Sequence, residues 1–187
     1  MMLRMNKILF LLVGASGSGK SYAERLLCKH DDIEKVVSMT TRPKRPNEVD
    51  GVDYYFVNNR IFEAVEKIEN VEFGGNHYAV PSFEIRGDTN KVLVVEPKGL
   101  IQIFDNRELI KNYILFVVFF NIPLEARKGK MLQRGDSIEH VEKRIEIDNI
   151  NSEFEELKIA PDVTISEYLQ DVDNFIINKA KQFILSD

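Results

Sequence analysis

Gly14-Ala15-Ser16-Gly17-Ser18-Gly19-Lys20-Ser21 fits the pattern G-x-x-x-x-G-K-[ST] at every fixed position. Glycines at this spacing let backbone N–H groups turn inward around phosphate oxygens, and a helix that follows points its positive end at them. Lys20 is placed to reach the β- and γ-phosphates of a nucleoside triphosphate, and the Ser21 hydroxyl to bind Mg²⁺. A second stretch, Ser38-Met39-Thr40-Thr41-Arg42-Pro43-Lys44-Arg45, sets two arginines three apart in a proline-stiffened loop. Arginine forks match phosphate oxygens and can grip one phosphate from two sides. Tyr54 downstream could add a hydroxyl donor. On composition alone, a solvated basic loop is the simpler reading of this stretch.

The phosphate loop needs a buried strand before it and a helix after it. Ile8 to Val13 is a continuous apolar run, and Ser21 to Lys29 contains helix formers. Continuous rather than alternating apolarity indicates a strand covered on both faces, as in a parallel sheet. Lys91 to Val95 and Tyr113 to Phe120 have the same character, and Val163 to Ile165 is a shorter candidate. Helical stretches lie between and after them: Gly99 to Arg107, Leu124 to Gln133, Ile138 to Leu157 and Tyr168 to Leu185. The alternation predicts right-handed βαβ units and an α/β fold. Residues 38 to 90 interrupt it. Asp50-Gly51 reads as a hairpin turn before a strand at Val52 to Val57. Asn59 to Glu69 reads as a helix, and Glu72 to Val80, with Gly74-Gly75 inside it, as a second hairpin. Residues 127 to 160 are the most charged part, and Arg127, Lys128, Lys130, Arg134, Lys143 and Arg144 are expected on a mostly exposed helical excursion.

Composition narrows the setting. The chain has 187 residues, 44% apolar and 29% charged, as ordinary globular proteins do. This length suits one folding unit with insertions. A net charge of −5 argues against general nucleic-acid binding. No apolar run approaches the roughly 20 residues that span a bilayer. One cysteine and three histidines offer poor material for a disulfide or a structural zinc site, so a reducing cytoplasm is the expected compartment. Cys28 is expected as a small helical core residue, and His77 as a packing or surface residue.

The order of motifs then resembles a known family. The phosphate loop, Ser-x-Thr-Thr-Arg-x-x-Arg from Ser38 to Arg45, and Glu48-Val49-Asp50-Gly51-Val52-Asp53-Tyr54 look like guanylate kinase. The likeness continues through Glu69, Gly75-Asn76-His77-Tyr78, Arg134-Gly135 and Lys143-Arg144. It covers nearly the whole chain and is strongest in residues 8 to 78. It implies a three-layer α/β/α phosphate-loop core (1–37, 91–126 and 161–187), a small mixed or antiparallel insertion binding the nucleoside monophosphate (38–90), and a helical lid (127–160). It implies ATP with Mg²⁺, and GMP or dGMP as acceptor, in a monomer or homodimer. By the same similarity Arg42, Arg45, Tyr54 and Tyr78 would bind the acceptor phosphate. Ser38, Glu69 and Glu96 would face guanine. Lys20, Arg42, Arg134 and Arg144 would serve catalysis. A carboxylate at Glu69 can accept from both the ring N–H and the exocyclic amine of guanine, a pair that adenine cannot offer.

The chain departs from the family pattern at four places. Val80 stands where a hydroxyl helps read the base, which removes one hydrogen bond worth about 1 kcal/mol. Val94 and Glu96 replace an Asp-x-Asp pair. Pro97 alters the turn into the next helix, and Ser166-Glu167 replaces Asn-Asp near the last strand. These changes leave two other readings open: the same fold with a shifted acceptor, such as another nucleoside monophosphate or a ribose bisphosphate, or a binding module without turnover.

Overall fold

The computed structural model describes residues 7–73, 75–147 and 159–186. Its centre is β1 (Lys7–Gly14), flanked in a wholly parallel five-stranded sheet ordered β2 (Ile33–Lys35), β7 (Asn90–Val94), β1, β8 (Tyr113–Phe120), β9 (Val163–Ile165). Successive side chains of a strand point to opposite faces. Ile8, Phe10 and Leu12 therefore pack under α1 (Lys20–Leu27) and α6 (Val172–Ser186), through Ala23, Leu27, Val172, Ile176 and Ala180. Leu9, Leu11 and Val13 pack on the other face against Leu100 and Ile103 of α3 (Pro97–Asp105). Both faces are covered, which is why β1 and β8 read as unbroken apolar runs.

A second sheet runs in the order β4 (Tyr55–Phe56), β3 (Met39–Thr40), β6 (Asn76–Pro81), β5 (Lys67–Phe73). Its Ile68 and Val80 join the same buried cluster as Leu9, Leu93 and Leu100, so the small sheet is seated on the core. It is mixed: β5 and β6 form the expected hairpin with Gly75 in the left-handed region, but β4 runs parallel to β3. Asp50-Gly51 is thus a tight turn, closed by the Gly51 N–H on the Tyr54 carbonyl, and not the turn of a hairpin.

Three further expectations need correction. The helix expected over Asn59 to Glu69 ends as α2 (Asn59–Ala64), capped by the Asn58 side chain on the Ile61 N–H. Val65 turns extended, and Lys67 to Phe73 pair with β6, because burying Ile68 in a sheet outweighs the helical preference of a charged run. Glu69 therefore lies on a strand. The last helix begins at Val172 rather than Tyr168. Cys28 caps the end of α1 and is exposed, since Leu27 takes the buried position. Pro97 occupies the first turn of α3, where its fixed φ and missing N–H are favourable. The excursion after β8 forms α4 (Leu124–Gln133) and α5 (Ile138–Ile147); the expected helix over 148–157 lies outside the described residues.

Candidate active site

Parallel sheets bind ligands beyond the carboxyl ends of their strands. β1 ends there in the phosphate loop, β7 in Glu96, β8 in the segment leading to α4, and β9 in Ser166-Glu167-Tyr168. Gly14 must be glycine: a Cβ would sit 2.7 Å from the Phe120 carbonyl oxygen and 2.8 Å from its Cβ. Gly17 is left-handed, and a Cβ there would lie 3.0 Å from Met131 Cγ and 3.1 Å from the Arg127 carbonyl oxygen. Lys20 folds back over the loop, and its Nζ donates to the Gly14 and Ala15 carbonyls, the latter at 2.9 Å. Ser21 is exposed in the first turn of α1. The Ser18 hydroxyl is buried.

The basic loop is no loose surface segment. Arg42 forks onto Glu48, with Nη2 on Oε1 at 2.8 Å and Nη1 on Oε2 at 3.0 Å, while the Arg45 N–H donates to the same carboxylate at 2.8 Å. The guanidinium stacks 5.6 Å from the ring centres of Tyr54 and Phe56, and Tyr54 meets Tyr78 edge-on at 6.0 Å. Glu48, and then Tyr78, hold the Arg42 pKa up. Arg42, Tyr54 and Tyr78 are thus brought together, whereas the Arg45 side chain reaches outward and is exposed. Thr40 and Thr41 tie this loop to β6: the Thr40 hydroxyl donates to the His77 carbonyl, and the His77 N–H to the Thr41 hydroxyl. The His77 ring packs on Phe62 at 5.4 Å, as a packing residue does.

Glu69 is the buried acid of the site, 7% exposed. Burial first, and the nearby Glu96 second, push its carboxyl up to about 7, against the pull of a hydrogen bond from the Val80 N–H. Residue 80 thus contributes a backbone donor while its side chain fills the core. Gly99 makes room on α3: a Cβ there would come 2.7 Å from Glu69 Oε2. Register places Glu69 opposite Val80, and Val71 opposite Tyr78. Residues two apart, and cross-strand partners, share a face, so Glu69 and Tyr78 stand on one face as diagonal neighbours about 7–8 Å apart. Ser38 lies directly before β3, where its carbonyl accepts from the Tyr55 N–H. Glu96 occupies the N-cap position of α3 without a side-chain capping bond and is exposed.

Arg134, at the end of α4, donates from Nε to Asp136 Oδ2 at 2.7 Å and also pairs through Nη2. These bonds, with Arg144 adding its charge nearby, hold the Asp136 carboxyl below its ordinary range. Of the two arginines, Arg134 is the one bonded to this carboxylate.

Two residues at the loop escaped the sequence reading. Arg127, expected among exposed charges, is 6% exposed. It donates from Nε to the Ile122 carbonyl at 3.2 Å and from Nη1 to the Ser16 carbonyl at 3.1 Å. The Tyr168 hydroxyl donates to the Gly17 carbonyl at 2.6 Å, under the Lys130 ammonium, 5.6 Å from its ring centre. A charged residue on a helix gives no sequence signal of burial, and a lone tyrosine after a strand gives none of its target.

Among the described residues no helix is long and apolar enough to cross a membrane. The family model described as guanylate kinase matches residues 6–179. A guanylate kinase of Thermus thermophilus is 35% identical over 148 residues, covering 74% of this chain and 65% of that protein. The chain thus spans just under two thirds of that relative's length. One from Oceanobacillus iheyensis is 29% identical over 196 residues, covering 100% of this chain and 90% of that protein. The crystal structure of guanylate kinase from Anaplasma phagocytophilum superposes with a TM-score of 0.57 at 26% identity, covering 97% of this chain and 86% of that one.

Proposed function

The chain belongs to the guanylate kinase family, and from that premise we propose that it transfers the γ-phosphoryl group of ATP to GMP or dGMP, giving ADP and GDP or dGDP. The observation that carries this reading is the shared face of β5 and β6. The Arg42–Tyr54–Tyr78 cluster suits a phosphate, and the buried Glu69 carboxyl stands one diagonal step away, as the phosphate and base of one nucleotide require.

The division of labour follows from the chemistry. Ionised Glu69 accepts from the ring N–H and the exocyclic amine of guanine. Adenine lacks a donor at that ring nitrogen and would leave the buried acid unpaired, which discriminates strongly. The acceptor phosphate enters where Glu48 holds the Arg42 fork, so it joins or replaces an anion already in place. Lys20 leaves its loop carbonyls for the phosphate oxygens of ATP. Arg134 leaves Asp136, and Arg144 joins it, at the transferring group, whose equatorial oxygens carry the charge. Closure of the lid excludes water and so suppresses ATP hydrolysis.

Among the described residues no group of three or more His, Cys, Asp or Glu side chains could hold a metal ion. That suits Mg²⁺, which keeps water and nucleotide oxygens and needs few protein ligands. The exposed Ser21 hydroxyl is the donor that would hold it, with the nucleotide. When bound, it compensates charge on the β- and γ-phosphate oxygens.

The test is ADP formation from Mg-ATP with GMP, dGMP, AMP, CMP, UMP, dTMP and ribose 1,5-bisphosphate in parallel. Preference for GMP or dGMP is expected. Preference for another acceptor, or turnover on none, overturns the reading.

A further inference from the structure

The buried guanidinium of Arg127 has no part in the transfer as just described. Taking such a group out of water costs several kcal/mol unless its N–H groups are satisfied. Among its bonds are those to two carbonyls: Ile122, just past β8, and Ser16, inside the phosphate loop. Tyr168 reaches the next loop carbonyl, Gly17, from the β9–α6 connection. Two successive loop carbonyls are therefore held from outside, by side chains on two separate elements. The loop has little room to shift against α4, as the distances around Gly17 require.

A trans peptide points its C=O and N–H in opposite directions. A bond that draws the Ser16 carbonyl toward α4 turns the Gly17 N–H away from α4. The bond from Tyr168 fixes the following peptide, whose Ser18 N–H already closes the loop onto the Ala15 carbonyl at 3.2 Å. Loop N–H groups bind phosphate only when their carbonyls face outward.

We propose that Arg127 and Tyr168 are positioning residues that clamp the Ser16 and Gly17 carbonyls from outside, holding the phosphate loop open to the donor triphosphate before ATP arrives. In this arrangement α4 belongs to the phosphate-binding platform. The inference rests on the kinase reading only for its kinetic readout, since ATP binding by the loop is measurable without an acceptor.

The experiment measures ATP affinity by calorimetry in the absence of acceptor, and then the KM values for ATP and for GMP. The full-length protein is used with Tyr168→Phe, Arg127→Met and Arg127→Lys. Tyr168→Phe removes one exposed hydroxyl and keeps the fold. It should weaken ATP binding and raise the KM for ATP about five- to tenfold, the worth of one hydrogen bond at this site, with the KM for GMP unchanged. Arg127→Met should do more, and Arg127→Lys, which still reaches one carbonyl, should recover part of the loss. Unchanged ATP affinity in Tyr168→Phe overturns the proposal even if Arg127→Met fails to fold. So does an equal rise in both KM values. A wild-type protein that binds ATP but phosphorylates no GMP would defeat the functional reading and leave the clamp to be judged on affinity alone.

Discussion

Glu69 is held in a form that its proposed task does not use. Burial and Glu96 raise its carboxyl to about 7, so the fold favours the neutral acid, while guanine needs the carboxylate. An acid whose folded pKa lies above its unfolded value contributes stability that is fully present below about pH 4.5 and is lost as pH rises through about 7. The loss is on the order of 3 kcal/mol. Glu69→Gln should therefore be more stable than wild type at pH 8, and the difference should shrink toward pH 5 in paired urea denaturations. Equal stability at both pH values would contradict the shift. A second consequence concerns the ligand. Binding GMP at pH 7 should release roughly half a proton as Glu69 ionises. Calorimetry in two buffers of different ionisation enthalpy reads this directly, and identical heats would count against guanine contact at Glu69.

At the scale of elements, Gly99 lets α3 approach β5 closely enough for Glu69 to pack on it. In Gly99→Ala the new Cβ meets Glu69 Oε2 at 2.7 Å and Val95 Cγ2 at 2.9 Å, so something must shift. The variant should lose about 1–3 kcal/mol of stability and raise the KM for GMP more than that for ATP. An unchanged KM for GMP would mean that Glu69 is not placed by this contact. What the sequence made legible follows the same physics. β1, β7 and β8 were readable because strands covered on both faces carry unbroken apolar runs, and the phosphate loop because its glycines and lysine have few substitutes. β5 was not, because Lys67-Ile68-Glu69-Asn70 mixes charge with a single deeply buried isoleucine, a pattern that suits a helix end equally well. Arg127 stayed hidden for a related reason: its burial depends on tertiary partners such as the Ser16 carbonyl, 111 residues away.

Across the whole molecule the site is assembled from two sheets that share one buried cluster and from the helical excursion of α4 and α5. The small sheet is fixed to the core through Ile68 and Val80, so Glu69 and the Arg42–Tyr54–Tyr78 cluster keep their spacing. Arg134 is held by Asp136 near the surface, and an exposed ion pair is worth at most about 1 kcal/mol. In the proposed mechanism, moving Arg134 from this pair to a phosphoryl group therefore costs little. Arg134→Ala should lower kcat about 100- to 1,000-fold, with little change in the affinity for either nucleotide or in melting temperature. A loss expressed only in KM would contradict a role confined to the transition state.

The most direct measurement is the ratio of kcat/KM for GMP to that for AMP, taken in wild type and in Glu69→Gln. A carboxylate offers two acceptors, the complement of guanine. An amide offers one acceptor and one donor, the complement of the adenine edge. Wild type should prefer GMP strongly, and Glu69→Gln should lose at least about 100-fold of that preference, through both a fall with GMP and a relative gain with AMP. A preference that survives the substitution would contradict the claim that Glu69 reads the base.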